Sequence, residues 1–97
     1  MPSNLHFDDR IKVSVIVPCF NTSQFLDQCL TSIEADDFTS LEVIVLNDGS
    51  TDNSLEIMRR HEKKDSRIRV IDKPNQGYGA TVNRGIEESR GAYIAIV

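Results

Sequence analysis

Four short apolar runs, Lys12–Val17, Glu42–Leu46, Arg67–Asp72 and Ala92–Val97, constrain this chain more than any other feature. Each is rich in β-branched residues and bounded by turn formers, a combination that a pleated strand accommodates better than a helix. The first, second and fourth are nearly continuous rather than alternating, as expected of strands covered on both faces in a parallel sheet. The third alternates, with Arg67 and Arg69 interleaved, and suits a sheet edge.

Between the runs lie helical periods. Phe25, Leu26, Cys29, Leu30 and Ile33 form one apolar stripe, preceded by the capping types Asn21, Thr22 and Ser23. A second helix is expected over 52–64, capped by Ser50, Thr51 or Asp52, with Arg59, Arg60, Lys63 and Lys64 at the negative end of its dipole. A third is expected over 79–89, with Val82 and Ile86 four apart and Gly91 as its C-terminal stop. Gly85 inside it costs about 1 kcal/mol relative to Ala. The order β-α-β-α-β-α-β predicts an α/β fold of three layers, a Rossmann-like parallel sheet with right-handed crossovers. It would span residues 12–97, after a polar N-terminal segment 1–11. Val97 falls inside an apolar run with no turn behind it, so a truncated domain is expected, with one sheet face poorly covered.

Composition removes several classes of function. Hydrophobic residues at 39% and charged residues at 27% are ordinary for a globular chain and exclude collagen-like or disordered character. No apolar run approaches the ~20 residues of a membrane helix, so no transmembrane segment is expected in this span. The first ten residues lack the apolar stretch of a secretory signal. A net charge of −4 argues against general binding to nucleic acid or anionic membranes. Seven of the eleven Lys and Arg residues fall between Arg59 and Lys73, but Glu62 and Asp65 are mixed among them, as at a solvated helix end. Cys19 and Cys29 lack C-x-x-C spacing and read as free thiols of a reducing compartment. His6 and His61 have no metal-ligand spacing.

In open parallel sheets, ligands bind beyond the carboxyl ends of the strands, where strand order reverses. The loops there, 18–21, 47–52 and 73–79, are rich in turn formers, hydrogen-bonding groups and aromatic residues. The opposite loops, 35–40 and 65–66, are plain polar connectors. The first loop has no glycine, which excludes both the dinucleotide fingerprint and the P-loop. Phe20 offers either a face for a nucleobase, worth roughly 1–3 kcal/mol, or an ordinary core aromatic at the sheet rim. Asp48 is either an acceptor for the imide N–H of a pyrimidine or a turn and helix cap. Ser50, Thr51 and Asp52 read as a helix start, Gly49 as a special backbone angle and Cys19 as packing. Tyr78 either touches a ligand or rims its loop.

Taken together, Val13–Asn21, Val43–Asp52, Asn75–Gly79 through Asn83–Ile86, and Gly91–Ile94 resemble the family 2 glycosyltransferases of GT-A fold. The resemblance covers about residues 12–97, in order and with the family's spacing. Its paired P-x-[YF]-N and [ND]-D-G-S-T-D motifs are far more specific together than apart. It implies transfer of a sugar from a nucleotide diphosphate donor, commonly a UDP-sugar, to an acceptor hydroxyl, usually with inversion. The acceptor would be a saccharide or lipid-linked, as in cell-envelope polysaccharide synthesis, in the cytoplasm or at the inner membrane face. Pro18 and Phe20 would line the base pocket, Asp48 would contact the uracil edge, and Asn21 and Gly79 would line the donor groove. A divalent metal, Mg or Mn, would be held by an Asp-x-Asp motif beyond Val97, with the general base further on, so no catalytic residue is expected in this span. Three positions depart from the family pattern. Asn47 stands where Asp is frequent, Ser23 where Glu is, and Val82 replaces a frequent Arg, with Arg84 close by. The alternative is an inactive nucleotide-binding or interaction module. A sugar nucleotidyltransferase would want a Gly- and Arg-rich first loop, which Pro18–Asn21 is not.

Overall fold

In the computed structural model, which describes residues 8–97, the chain runs β1 (Val13–Cys19), α1 (Ser23–Glu34), β2 (Leu41–Asp48), α2 (Ser54–Lys64), β3 (Ile68–Lys73), α3 (Tyr78–Glu88) and β4 (Tyr93–Ile96). His6 and the first part of the polar N-terminal segment lie outside the described residues. The strands form one parallel sheet in the order β3-β2-β1-β4. β2 pairs with β1 from Val13↔Leu41 to Cys19↔Asn47 and with β3 from Val43↔Ile68 to Asp48↔Lys73. This register brings the ends of three strands to one edge, and strand order reverses at β1. The alternating run does form an edge strand, β3, whose Arg69 reaches across to Glu88 at 2.7 Å.

Two helical layers enclose the sheet. α1 and α2 cover one face, where Leu26, Leu30, Ile57 and Met58 pack on Val17, Val43, Val45, Ile68 and Val70. α3 leaves one edge strand and returns to the other, so it must cross the opposite face over β1 and β2, above Ile16, Ile44 and Leu46. Gly85 makes that crossing close. A Cβ there would lie 2.6 Å from Cγ2 of Ile16 and 3.2 Å from Cδ1 of Leu46. What the sequence presents as a weak point in the helix is the contact that seats it.

Several local expectations are corrected. The N-cap positions Thr22 and Asn53 make no side-chain cap, and α2 begins at Ser54 rather than 52, with Asp52 Oδ1 accepting the Ser54 amide at 3.0 Å. α3 begins at Tyr78 and ends at Glu88, with Ser89 rather than Gly91 at its boundary. The Gly91 amide instead donates to Ser14 Oγ at 2.9 Å. The Ser14 hydroxyl in turn donates to the buried Glu42 carboxylate at 2.6 Å. β4 is not covered on both faces: Tyr93 is 72% exposed, and Ile94, Ile96 and Val97 are exposed with it. The described helices sit over β1, β2 and β3, so it is an edge rather than a whole face that lies open. Among the described residues, no helix is long and apolar enough to cross a membrane.

Candidate functional site

At the carboxyl edge, β1 and β2 end beneath the start of α3, and a cavity of about 240 Å³ opens between them. β1 and its loop contribute Pro18, Cys19 and Phe20, and β2 contributes Asp48. The turn after β3 and the first part of α3 contribute Asn75, Gly77, Tyr78 and Thr81. Phe20 and Asp48 therefore share one cavity. Phe20 is 49% exposed and Asp48 only 4%, so an apolar face stands at the mouth and a carboxylate at the base.

Asp48 is held by groups far along the chain. Its Oδ1 accepts from Lys73 Nζ at 2.8 Å and from the Gln76 amide at 2.7 Å, and its Oδ2 accepts from the Gly77 amide at 3.1 Å. It thus caps the approach to α3, not the helix that follows it in sequence. Burial pushes its pKa up, but the hydrogen bonds from Lys73 and the Gln76 amide outweigh burial and hold the carboxyl below its ordinary value. A carboxylate has about four acceptor positions, of which these three donors occupy three. Oδ2 accepts from the Gly77 amide alone among these three.

Asn21 does not line the cavity. It adopts a left-handed backbone (φ 53°), and its Oδ1 accepts the amides of Thr51 at 2.8 Å and Asp52 at 3.3 Å. Ser50 Oγ accepts the Asn21 amide at 3.0 Å. Asn21 therefore ties the loop carrying Phe20 to the loop after Asp48, fixing one site group against the other. Gly79 does not line the cavity either; it lies in the first turn of α3 with open space around it. Tyr78 lines the cavity while 67% exposed. Cys19 is packed beneath it, and burial pushes its thiol pKa up. Asn47 donates from Nδ2 to Asp72 Oδ1 at 2.9 Å across the β2–β3 pair. An Asp at 47 would face Asp72 with like charge.

Asp52 joins the two helix starts. Its Oδ1 accepts the Ser54 hydroxyl at 2.6 Å and its Oδ2 accepts the Ser23 amide at 3.2 Å. The Ser54 hydroxyl is the main reason its pKa falls from 3.8 to about 2. A depressed carboxyl stabilises the fold above the unfolded value and loses that contribution as pH falls through the folded one. The window is therefore between about 4 and about 2. Thermal melts at pH 4 and pH 2 should show a smaller loss of Tm for Asp52→Asn than for the wild type.

Comparison with known proteins bears on the family and the fold. The model of the glycosyl transferase family 2 matches residues 14–97. The chain belongs to that family. The uncharacterized glycosyltransferase EpsJ of Bacillus subtilis is 41% identical over 85 residues, covering 88% of this chain and 25% of EpsJ. The chondroitin synthase of Escherichia coli is 37% identical over 82 residues, covering 84% of this chain and 12% of the synthase. The crystal structure of S. aureus TarS 1–349 in complex with UDP superposes with a TM-score of 0.82 at 31% identity, over 90% of this chain and 27% of that one. The chain thus spans about a quarter, or less, of the length of these relatives, and has the sheet and helices of their GT-A fold.

For a family 2 chain, the functional edge could be located from its loops, but several lining residues could not be named from them. Lys73, Asn75, Gly77 and Thr81 at this site are not distinguished by local pattern. The parallel pairing of β2 with β3 brings Lys73 beside Asp48, and the crossing of α3 delivers Thr81. The place of Lys73 directly after the third β-branched run is the one local signal that could have marked the first of them. Among the described residues, no group of three or more His, Cys, Asp or Glu side chains converges as a metal site.

Proposed function

We propose that this chain forms the nucleotide-binding part of an inverting glycosyltransferase. It would take a sugar from a uridine diphosphate donor to a hydroxyl of a saccharide or lipid-linked acceptor. The observation that carries the reading is the shared cavity: an exposed phenyl ring at its mouth and an ionised carboxylate at its base. A ring can stack on any base. An acceptor-only group needs an N–H opposite it, and at ring position 3 uracil presents an imide N–H where cytosine's N3 is itself an acceptor. The complexes of S. aureus TarS with UDP and with UDP-GlcNAc support the same donor class.

Pro18 and Phe20 would bind the base and Asp48 would read its edge, while Asn21 holds Phe20 in place from outside the cavity. The diphosphate needs positive charge that these residues do not provide. Lys73 is engaged by Asp48, and Arg84 by Glu88 at 3.1 Å. The described residues hold no ligand set for the divalent cation that the family resemblance implies, so other carboxylates would have to bind it. The enzyme would work on the cytoplasmic side, at the membrane face if its acceptor is lipid-linked.

Titration calorimetry of the intact protein with UDP and CDP tests the reading. A hydrogen bond to a charged group is worth about 1.5–3 kcal/mol, so UDP should bind roughly 10- to 150-fold more tightly than CDP. Equal affinities would remove Asp48 from base recognition. Failure to bind any nucleoside diphosphate would remove the function itself.

A further inference from the structure

Beneath the cavity lies a buried ion pair whose purpose is not accounted for by the contacts a nucleotide would make. Lys73 and Asp48 are register partners on β3 and β2, with side chains 4% and 6% exposed. The three protons of Lys73 Nζ have three acceptors: Asp48 Oδ1 at 2.8 Å, the Pro74 carbonyl at 3.1 Å and Thr81 Oγ1 at 3.1 Å. The Thr81 hydroxyl accepts from the ammonium because its own proton goes to the Gly77 carbonyl at 2.8 Å. The Gly77 amide then returns to Asp48 Oδ2 at 3.1 Å. The circuit Lys73–Thr81–Gly77–Asp48 closes on itself and joins β2, β3, the following turn and α3.

Burying a lysine and a carboxylate is a poor way to gain stability, since an apolar pair of similar size often does as well or better. A fixed orientation is what such a circuit provides. Oδ1 accepts from both Lys73 and Gln76, the carboxylate cannot rotate without breaking bonds on both oxygens, and of these donors Oδ2 takes the Gly77 amide alone. We propose that Lys73 is a positioning residue for base selection: it keeps Asp48 an ionised, acceptor-only group at the cavity base. The inference rests on the uridine reading above. Without Lys73, Asp48 would be a buried carboxyl with its ammonium partner gone, and burial favours the protonated form. A protonated Asp48 has an O–H to donate, and cytosine N3 is an acceptor. The discrimination between uracil and cytosine would then depend on pH. The other titratable groups lining the cavity are Cys19 from β1 and Tyr78 from α3.

The experiment is calorimetric titration of the intact wild type, Lys73→Met, Lys73→Arg and Thr81→Val with UDP and CDP from pH 5 to pH 8. The ratio of the two affinities is the readout, because the titration of the diphosphate is common to both ligands and cancels. The wild-type ratio should stay constant across this range. In Lys73→Met it should fall at least tenfold between pH 8 and pH 5, and Lys73→Arg should restore it. A merely structural lysine would lower both affinities together and leave the ratio unmoved. Should Lys73→Met fail to melt cooperatively, Thr81→Val carries the test, with a fall of at least threefold in the ratio at pH 5. A ratio that stays at the wild-type value at every pH in the folded variants overturns the role of Lys73 alone. A wild type that binds UDP and CDP equally overturns the uridine reading and this inference with it.

Discussion

Asp48→Ala should bring the affinity for UDP down to that for CDP. The variant removes the carboxylate proposed to accept the base's N–H, so the expected loss for UDP is roughly 10- to 150-fold, the value of a hydrogen bond to a charged group. Cytosine's ring position 3 is an acceptor, so CDP should lose far less. The comparison between nucleotides separates recognition from folding. Asp48→Ala also leaves the Lys73 ammonium without its counter-ion and the Gln76 and Gly77 amides without their acceptor in a buried place. Breaking such a pair by removing one member costs about 3–5 kcal/mol of stability. A general loss of fold weakens both ligands alike, whereas loss of base reading weakens one. Calorimetry with both nucleotides, beside a thermal melt, distinguishes the two. An unchanged preference for UDP in a folded Asp48→Ala protein would rule out the contact.

Gly49→Ala should be the most destabilising exchange of a single methyl group at this edge. Gly49 has φ of 70°, and a Cβ there would lie 2.6 Å from the backbone nitrogen of Asn75 and 2.9 Å from its Cβ. The left-handed conformation costs an L-residue about 1–2 kcal/mol and overpacking about 1–3 kcal/mol more. The clash is with backbone, so no rotamer change relieves it. A loss of about 3 kcal/mol is expected, which for a domain of this size lowers Tm by roughly 12–24 °C. The displaced Asn75 leads directly into the Gln76 and Gly77 amides that hold Asp48, so the preference for UDP should fall as well. Gly79→Ala is the matched control: with open space around it in the first turn of α3, helix propensity should leave stability level or raise it by up to about 1 kcal/mol. Equal melts for the two variants would contradict the close packing of the β2 loop on Asn75.

Much of the fold could be read from local pattern. β-branched runs and a 3.6-residue stripe report on which faces of an element are apolar, and the alternation of Arg67 and Arg69 put β3 at an edge. The chemistry-bearing loops were legible for the same reason, since turn formers are punctuated locally. Readings that depended on a distant partner were the ones that changed. Of the two readings of Asp48, base acceptor or cap of the following helix, the cap does not hold, since its donors lie 25, 28 and 29 residues on. The carboxamide of Asn21, expected by resemblance along the donor groove, accepts amides 30 and 31 residues away. His61 stood alone in the sequence, but its ring nitrogens lie 2.5 Å from Glu34 and 2.6 Å from Asp27, both on α1. Gly85 counted as a cost until the face of α3 that meets Ile16 was known.

By itself, then, the order of residues determined the alternation of strands and helices, the edge at which ligands would meet the chain, and the acidic and aromatic side chains offered there. Periodicity and turn chemistry act over a few residues, so they survive in one dimension. Tertiary structure decided which of those side chains is available and what holds it: that Phe20 and Asp48 share a cavity, that Asn21 braces it from outside, and that Lys73 lies beneath. Hydrogen bonds and close packing act through space over about 3 Å. Only the pairing of parallel strands, with α3 carried across them, brings residues so far apart in the chain within that reach.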